Sequence, residues 1–261
     1  MPIMRLFALC ATVTVGLLSA STSAHAATYP IRDHVLTANE LYSSGIFHTS
    51  RCPERKIPPN NITLAKRYMT SVLGCLNASW GAHIKRAGLP FTPAKIGFIT
   101  KPHKYCGLPW GQIVARYCAA EGRVLVLLKD SLLGDPSDLF LFQLTAHEYG
   151  HHVQKITGIR DAYDHHPYRN KSELQEQSRR KELQAECLSG LFVGSVWASL
   201  DERGEEDWKA LLKVARNSGD EGYKVRSHGK GRNIAAWLDK GFRASSPAAC
   251  NTWTAPSAKV S

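Results

Sequence analysis

The chain has 261 residues, of which 43% are hydrophobic, and carries a formal net charge of +11. It shows no internal repeat, no low-complexity tract and no nucleic-acid-binding module, and no segment is apolar for the roughly 20 residues that a membrane span requires. The basic residues form no single block, so their excess fits the solubility of an exported protein or contact with anionic cell-envelope polymers.

The first 26 residues read as a secretory signal peptide. Arg5 supplies a positive start, Leu6 to Leu18 is a short apolar run, and Ala24-His25-Ala26 is a small-x-small cleavage site. Phe7-Ala8-Leu9 before Cys10 is a poor lipobox, which argues against a lipid anchor. Removing 26 of the 261 residues leaves 235 and takes away one charge, Arg5, for a net of +10. That length suffices for one well-buried domain with an N-terminal extension.

Six cysteines remain, at 52, 75, 106, 118, 187 and 250. An even count behind an export signal reads as three disulfides, with 15 possible pairings. Proximity favours Cys52–Cys75 and Cys106–Cys118, which leaves Cys187–Cys250. No C-x-x-C pair occurs, so structural zinc held through sulfur is disfavoured.

Residues 27–60 look like an extended lead-in. Thr63 to Arg86 has helical apolar spacing at Leu64, Tyr68, Val72, Leu73 and Leu76. Lys95 to Thr100 and Arg123 to Leu128 read as strands, the second as a buried one, with a stapled loop between Cys106 and Cys118. A deeply buried helix is expected from a start at Pro136-Ser137-Asp138 to a stop at Gly158. A second long helix should run from about Ser172 to Leu200, with Ser172-x-x-Gln175 as its capping box. Shorter helices are expected at Glu205–Asn217 and Arg232–Gly241. The chain divides into a signal peptide (1–26), an extension with the first helix (27–79), a main domain (80–254) and a tail (255–261).

The chemistry concentrates at His147-Glu148-Tyr149-Gly150-His151. Two histidines four apart on a helix share a face, so both imidazoles can reach one zinc ion. Glu148, about 100° around the helix, is placed as the general base for a zinc-activated water. Chance gives about two such motifs per hundred chains of this length, and a buried structural histidine pair is the bland alternative. A third ligand is needed. The position six residues after His151 is Thr157, so a third histidine there is excluded. Glu182 and Glu186, four apart in Glu182-Leu183-Gln184-Ala185-Glu186, offer another route. Glu182 would bind the ion, and Glu186 would orient a ligating histidine from behind. The bland alternative is a solvated acidic face beside Arg179, Arg180 and Lys181.

These residues resemble the putative neutral zinc metallopeptidase family of bacteria. That family carries His-Glu-Phe-Gly-His-His-Val-Gln and Glu-Leu-Gln-Ala-Asp-Cys. This chain has the first at 147–154, with Tyr149 for phenylalanine, and the second at 182–187, with Glu186 for aspartate. Tyr105-Cys106-Gly107, Tyr117-Cys118, Ser227-His228-Gly229, Trp237 and Cys250-Asn251-Thr252 extend the similarity from about Trp80 to Trp253. The resemblance implies a mainly helical α+β, zincin-like domain with a small sheet beside the metal helix. It implies one zinc ion on His147, His151 and Glu182, and a peptide or protein substrate of unspecified sequence.

His228 is a candidate donor to the oxyanion, or else a loop histidine. His152 should point away from the ion and be structural, and His165-His166 reads as a polar loop pair. Asn61, Asn77 and Asn170 head glycosylation sequons, a pattern without meaning in most bacterial proteins. The sequence thus points to a secreted or extracytoplasmic zinc-dependent peptidase. The alternative is a non-catalytic, zinc-stabilised envelope-binding protein. The oligomeric state is left open.

Overall fold

The structure, a computed structural model, describes residues 31–54, 57–133, 138–200 and 203–261. The signal-peptide reading and the Pro136-Ser137 start signal lie outside these residues. Eight α-helices are described: α1 (His34–Thr37), α2 (Ile62–Arg86), α3 (Asp130–Leu133), α4 (Asp138–Ile156), α5 (Ile159–His165), α6 (Lys171–Val196), α7 (Glu205–Asn217) and α8 (Gly231–Phe242). Three strands, β1 (Lys95–Ile99), β2 (Ala115–Cys118) and β3 (Arg123–Leu127), complete an α+β, mainly helical architecture.

The sheet has the order β1-β3-β2, with β1 parallel and β2 antiparallel to β3. Central β3 is apolar from Val124 to Leu127 because both of its faces are covered there. Val124 and Val126 face the main core, while Leu125 and Leu127 pack with Tyr105 and Trp110. Strand β2 was expected to be loop. Four residues beside a disulfide carry too little alternation to register as a strand. Helix α5 was likewise unforeseen. Gly158, at φ +78°, ends the preceding helical segment in the left-handed region and lets a new helix begin at once. His165 is therefore the last residue of a helix, while His166 follows it as expected of a loop residue.

The long helices begin on side-chain caps. The Asn61 carboxamide accepts from Leu64 N–H at the start of α2, and that of Asn170 from Glu173 N–H at the start of α6. Asn170 thus caps α6 in place of the expected Ser172 box. Asn77 bonds both backbone groups of Ala94 and accepts from the Tyr149 hydroxyl at 2.9 Å. All three sequon asparagines therefore hold the fold together. The extra oxygen of Tyr149, where the family has phenylalanine, ties α4 to α2.

Helices α2, α4, α6 and α8 and the sheet share one core, in which Met69, Leu76, Tyr149, Val153, Phe192 and Leu238 are fully buried. The α6–α8 contact is close enough for backbones to touch. A Cβ on Gly190 would come 2.2 Å from the Leu238 carbonyl oxygen. Behind α6 the chain's last residues form a backing. Arg180, nearly fully buried, donates to the carbonyls of Thr252, Trp253 and Ala255 and pairs with Glu176. Arg179 donates to the Val260 carbonyl. The three disulfides are Cys52–Cys75, Cys106–Cys118 and Cys187–Cys250, the pairing that proximity and elimination suggested.

Candidate metal centre

The centre is built where α4 crosses α6. Gly150 makes the crossing close. A Cβ there would lie 2.8 Å from both the Cα and the carbonyl oxygen of Ala185. Gly150 lies between His147 and His151, and Ala185 between Glu182 and Glu186. The smallest side chains thus sit at the contact, and the polar ones beside it converge.

His151 Nε2 lies 3.0 Å and His147 Nε2 3.5 Å from Glu182 Oε2. All three candidate donor atoms fall within 4.8 Å of one another. A tetrahedral zinc with donors at about 2.0–2.1 Å separates its ligands by roughly 3.3 Å, so the spacing fits. Two imidazoles and one carboxylate are also a donor set suited to zinc with one position open.

Each donor is held from behind. The Nδ1 of His147 meets Glu186 Oε2 at 2.7 Å, and Glu186 Oε1 accepts from Gln143 Nε2 at 3.0 Å. Glu186, one methylene longer than the family's aspartate, therefore still reaches the histidine. His151 Nδ1 meets Gln154 Oε1 at 2.9 Å, while Gln154 Nε2 donates to the Lys181 carbonyl and to Gln184 Oε1. Both Nδ1 atoms thus face acceptors, which fixes the tautomers with Nε2 free to ligate. The other oxygen of Glu182 receives Lys181 Nζ at 2.8 Å, leaving Oε2 toward the imidazoles. Sequence reasoning overlooked Gln143, Gln154 and Lys181. The two glutamines stand one turn from their histidines at i−4 and i+3, a spacing that could have marked them. The acidic face of Glu182 and Glu186, weighed as solvated beside Arg179, Arg180 and Lys181, is turned into the cleft, and those three basic residues are folded against carbonyls and Glu182.

The electrostatics call for a cation. Burial opposes charge on His147, yet its bonds to Glu182 and Glu186 hold its pKa well above the ordinary imidazole value. Burial also opposes charge on Glu182, but Lys181 and then His151 hold its carboxyl well below the usual range. A divalent ion would supply that positive charge and leave both imidazoles neutral, as ligation requires.

Glu148 lines the same cleft and is only 7% exposed. His228 reaches in from the loop before α8, with Nε2 3.8 Å from Glu182 Oε2 and Ser227 Oγ 2.9 Å from Nδ1. His152 faces the other way. Its Nε2–H donates to the Thr92 carbonyl and its Nδ1 accepts from the Tyr117 hydroxyl, which joins α4 to the sheet. Burial lowers its pKa, as suits a neutral structural histidine.

Comparison with known proteins agrees with this geometry. The model of the family described as putative neutral zinc metallopeptidase matches residues 48–253. The uncharacterized protein YpfJ of Escherichia coli K12 is 29% identical over 221 residues, covering 76% of this chain and 75% of its own. YpfJ of E. coli O6:H1 strain CFT073 matches to the same extent. No solved structure matches. With the family model spanning well over half of its length, the chain belongs to the putative neutral zinc metallopeptidase family.

Proposed function

We propose that this chain is an exported zinc-dependent peptidase that hydrolyses peptide bonds, with Glu148 as general base. The observation that carries the reading is the convergence of His147 Nε2, His151 Nε2 and Glu182 Oε2 beside Glu148 in an open cleft. Zinc held by these three residues would supply a Lewis acid and lower the pKa of water to about 7. Glu148 takes a proton from the attacking water and passes it to the departing amine. His228 donates through Nε2 to the carbonyl oxygen as that atom gains charge, its Nδ1 accepting from Ser227. Glu186 and Gln154 keep the two imidazoles oriented throughout. Export is supported by the three disulfides, which persist in oxidising compartments. No helix among the described residues is long and apolar enough to cross a membrane.

The test is hydrolysis of casein or a peptide library by the zinc-loaded protein, by chelated protein and by Glu148→Gln. Chelation should abolish activity. The variant should retain one zinc and lose about 10²–10⁴-fold in kcat/KM, the usual contribution of a general base. Zinc-loaded wild type without hydrolysis would leave a zinc-stabilised binding protein. Full activity in Glu148→Gln would reject the assigned role.

A further inference from the structure

Resting on the peptidase reading, we propose that the cleft selects substrates by a bulky apolar side chain close to the scissile bond. The cleft has a volume of about 670 Å³, within the range of sites that enclose a specific ligand. Beyond the candidate ligands much of its lining is apolar, with Phe140, Leu144, Leu211, Val214 and Ile234 contributing. Phe140, Leu144 and His147 share one face of α4. At 1.5 Å rise per residue, Leu144 lies about 4.5 Å and Phe140 about 10.5 Å along the axis from His147. For a peptide extended along α4, which advances about 3.4 Å per residue, a side chain one to three residues from the reacting carbonyl falls beside them. Leu211 and Val214 of α7 and Ile234 of α8 line the same cleft.

Exposure supports the same conclusion. Eight large hydrophobic residues among those described are exposed, and three of them, Val214, Tyr223 and Val225, line this one cleft. Exposed apolar groups gathered at one place mark a binding surface, whereas scattered ones are ordinary. Tyr223 and Val225 are presented on a loop that is closed at its neck. The Asp220 carboxylate accepts from the backbone of His228 at 2.7 Å and of Gly229 at 3.0 Å, and Glu221 accepts from Gly231 N–H. The bonds from His228 and Gly229 both go to Asp220 Oδ2 and hold that carboxylate against the loop backbone. Glu186 is committed to His147 and Gln143. Along the apolar half the charged lining residues are thus Asp220, only 8% exposed at the loop's neck, and the exposed Lys224.

The experiment is a quenched-fluorescent peptide library varied on both sides of the cleaved bond, read with zinc-loaded wild type and Val214→Asp. Wild type should favour Leu or Phe over Asp, Lys or Gly by at least about 10-fold at one nearby position. Val214→Asp should shift the Lys-to-Leu ratio there at least about 10-fold toward Lys, a gain that mere damage to the fold would not produce. Hydrolysis with no apolar preference, or with a preference that Val214→Asp leaves unchanged, would overturn the proposal while leaving the peptidase reading intact. If wild type cleaves no peptide, the peptidase reading fails. Anisotropy of the same labelled peptides on zinc-loaded Glu148→Gln then decides the subsite: selective retention of apolar peptides upholds it, and indifference rejects it.

Discussion

Replacing Gly150 by alanine tests whether the α4–α6 spacing builds the metal centre. The new Cβ would stand 2.8 Å from Ala185 backbone atoms, whereas ordinary contact begins at 3.4 Å. Ala185 Cα and O cannot rotate away, so the helices must part by about 0.6 Å. If that displacement lies along the ligand direction, His151–Glu182 opens from 3.0 Å to about 3.6 Å and His147–Glu182 from 3.5 Å to about 4.1 Å. The shorter separation then passes the roughly 3.3 Å edge of a zinc tetrahedron, and the longer one moves farther above it. Overpacking costs about 1–3 kcal/mol, while alanine gains about 1 kcal/mol over glycine within a helix, so the metal-free fold should lose at most about 2 kcal/mol. Zinc affinity should fall further, by about 10–100-fold, as when a ligand's orientation is disturbed. A competitive chelator titration gives the affinity, and melting with and without chelator separates it from fold stability. The zinc-dependent rise in Tm should shrink by the equivalent of about 1.4–2.7 kcal/mol, in addition to any fall in the metal-free Tm. A variant with wild-type zinc affinity would refute the spacing argument.

Glu186→Ala should weaken zinc binding about 10–100-fold by releasing His147 Nδ1, measured by the same titration; unchanged affinity would show that the 2.7 Å bond does not orient the ligand. Removing Cys187–Cys250, which closes 63 residues, by a double alanine substitution should cost about 4 kcal/mol in urea unfolding. A loss below about 1 kcal/mol would mean that the unfolded chain is already constrained. His83 is buried, its ring bonded to Ser44, and burial followed by the nearby Arg86 pushes its pKa down to about 4 from 6.5. The unfolded chain then binds more protons below pH 6.5, so stability is complete above that pH and is lost as pH falls toward 4, by at most roughly 3 kcal/mol. His83→Gln should flatten that part of the stability profile; an unaltered slope would place the titration elsewhere.

The helices were legible where burial is one-sided or continuous. Leu64 to Leu76 announced α2, and the apolar run before His147 announced α4 as deep. The candidate ligands His147 and His151 were legible because i,i+4 spacing is a local geometry that sequence carries directly, and Glu182 because the family resemblance pointed to it. What surrounds them was not. Gln143 meets Glu186 across 43 residues, and Lys181, in the sequence only a basic neighbour of the two glutamates, is enclosed by Glu182 and the Tyr163 ring. Strand β2 depends on pairing with β3 rather than on its own four residues. Glu186 in place of aspartate was ambiguous in the sequence, because only the width of the α4–α6 gap tells whether the longer arm fits.

Arg180 gives residues 252–255 an importance their distance from the cleft would not suggest. Its guanidinium, two residues before Glu182, is neutralised by Glu176 and solvated by three carbonyls from that stretch. Were a protease to clip the chain after residue 251, the guanidinium would lose those three acceptors and keep only Glu176 and such water as reached it, at a cost of up to several kcal/mol. Helix α6 would roll or fray to wet it, carrying Glu182 along. The far end of the chain is therefore a floor beneath the ligand helix, and damage to it would disarm the cleft from behind.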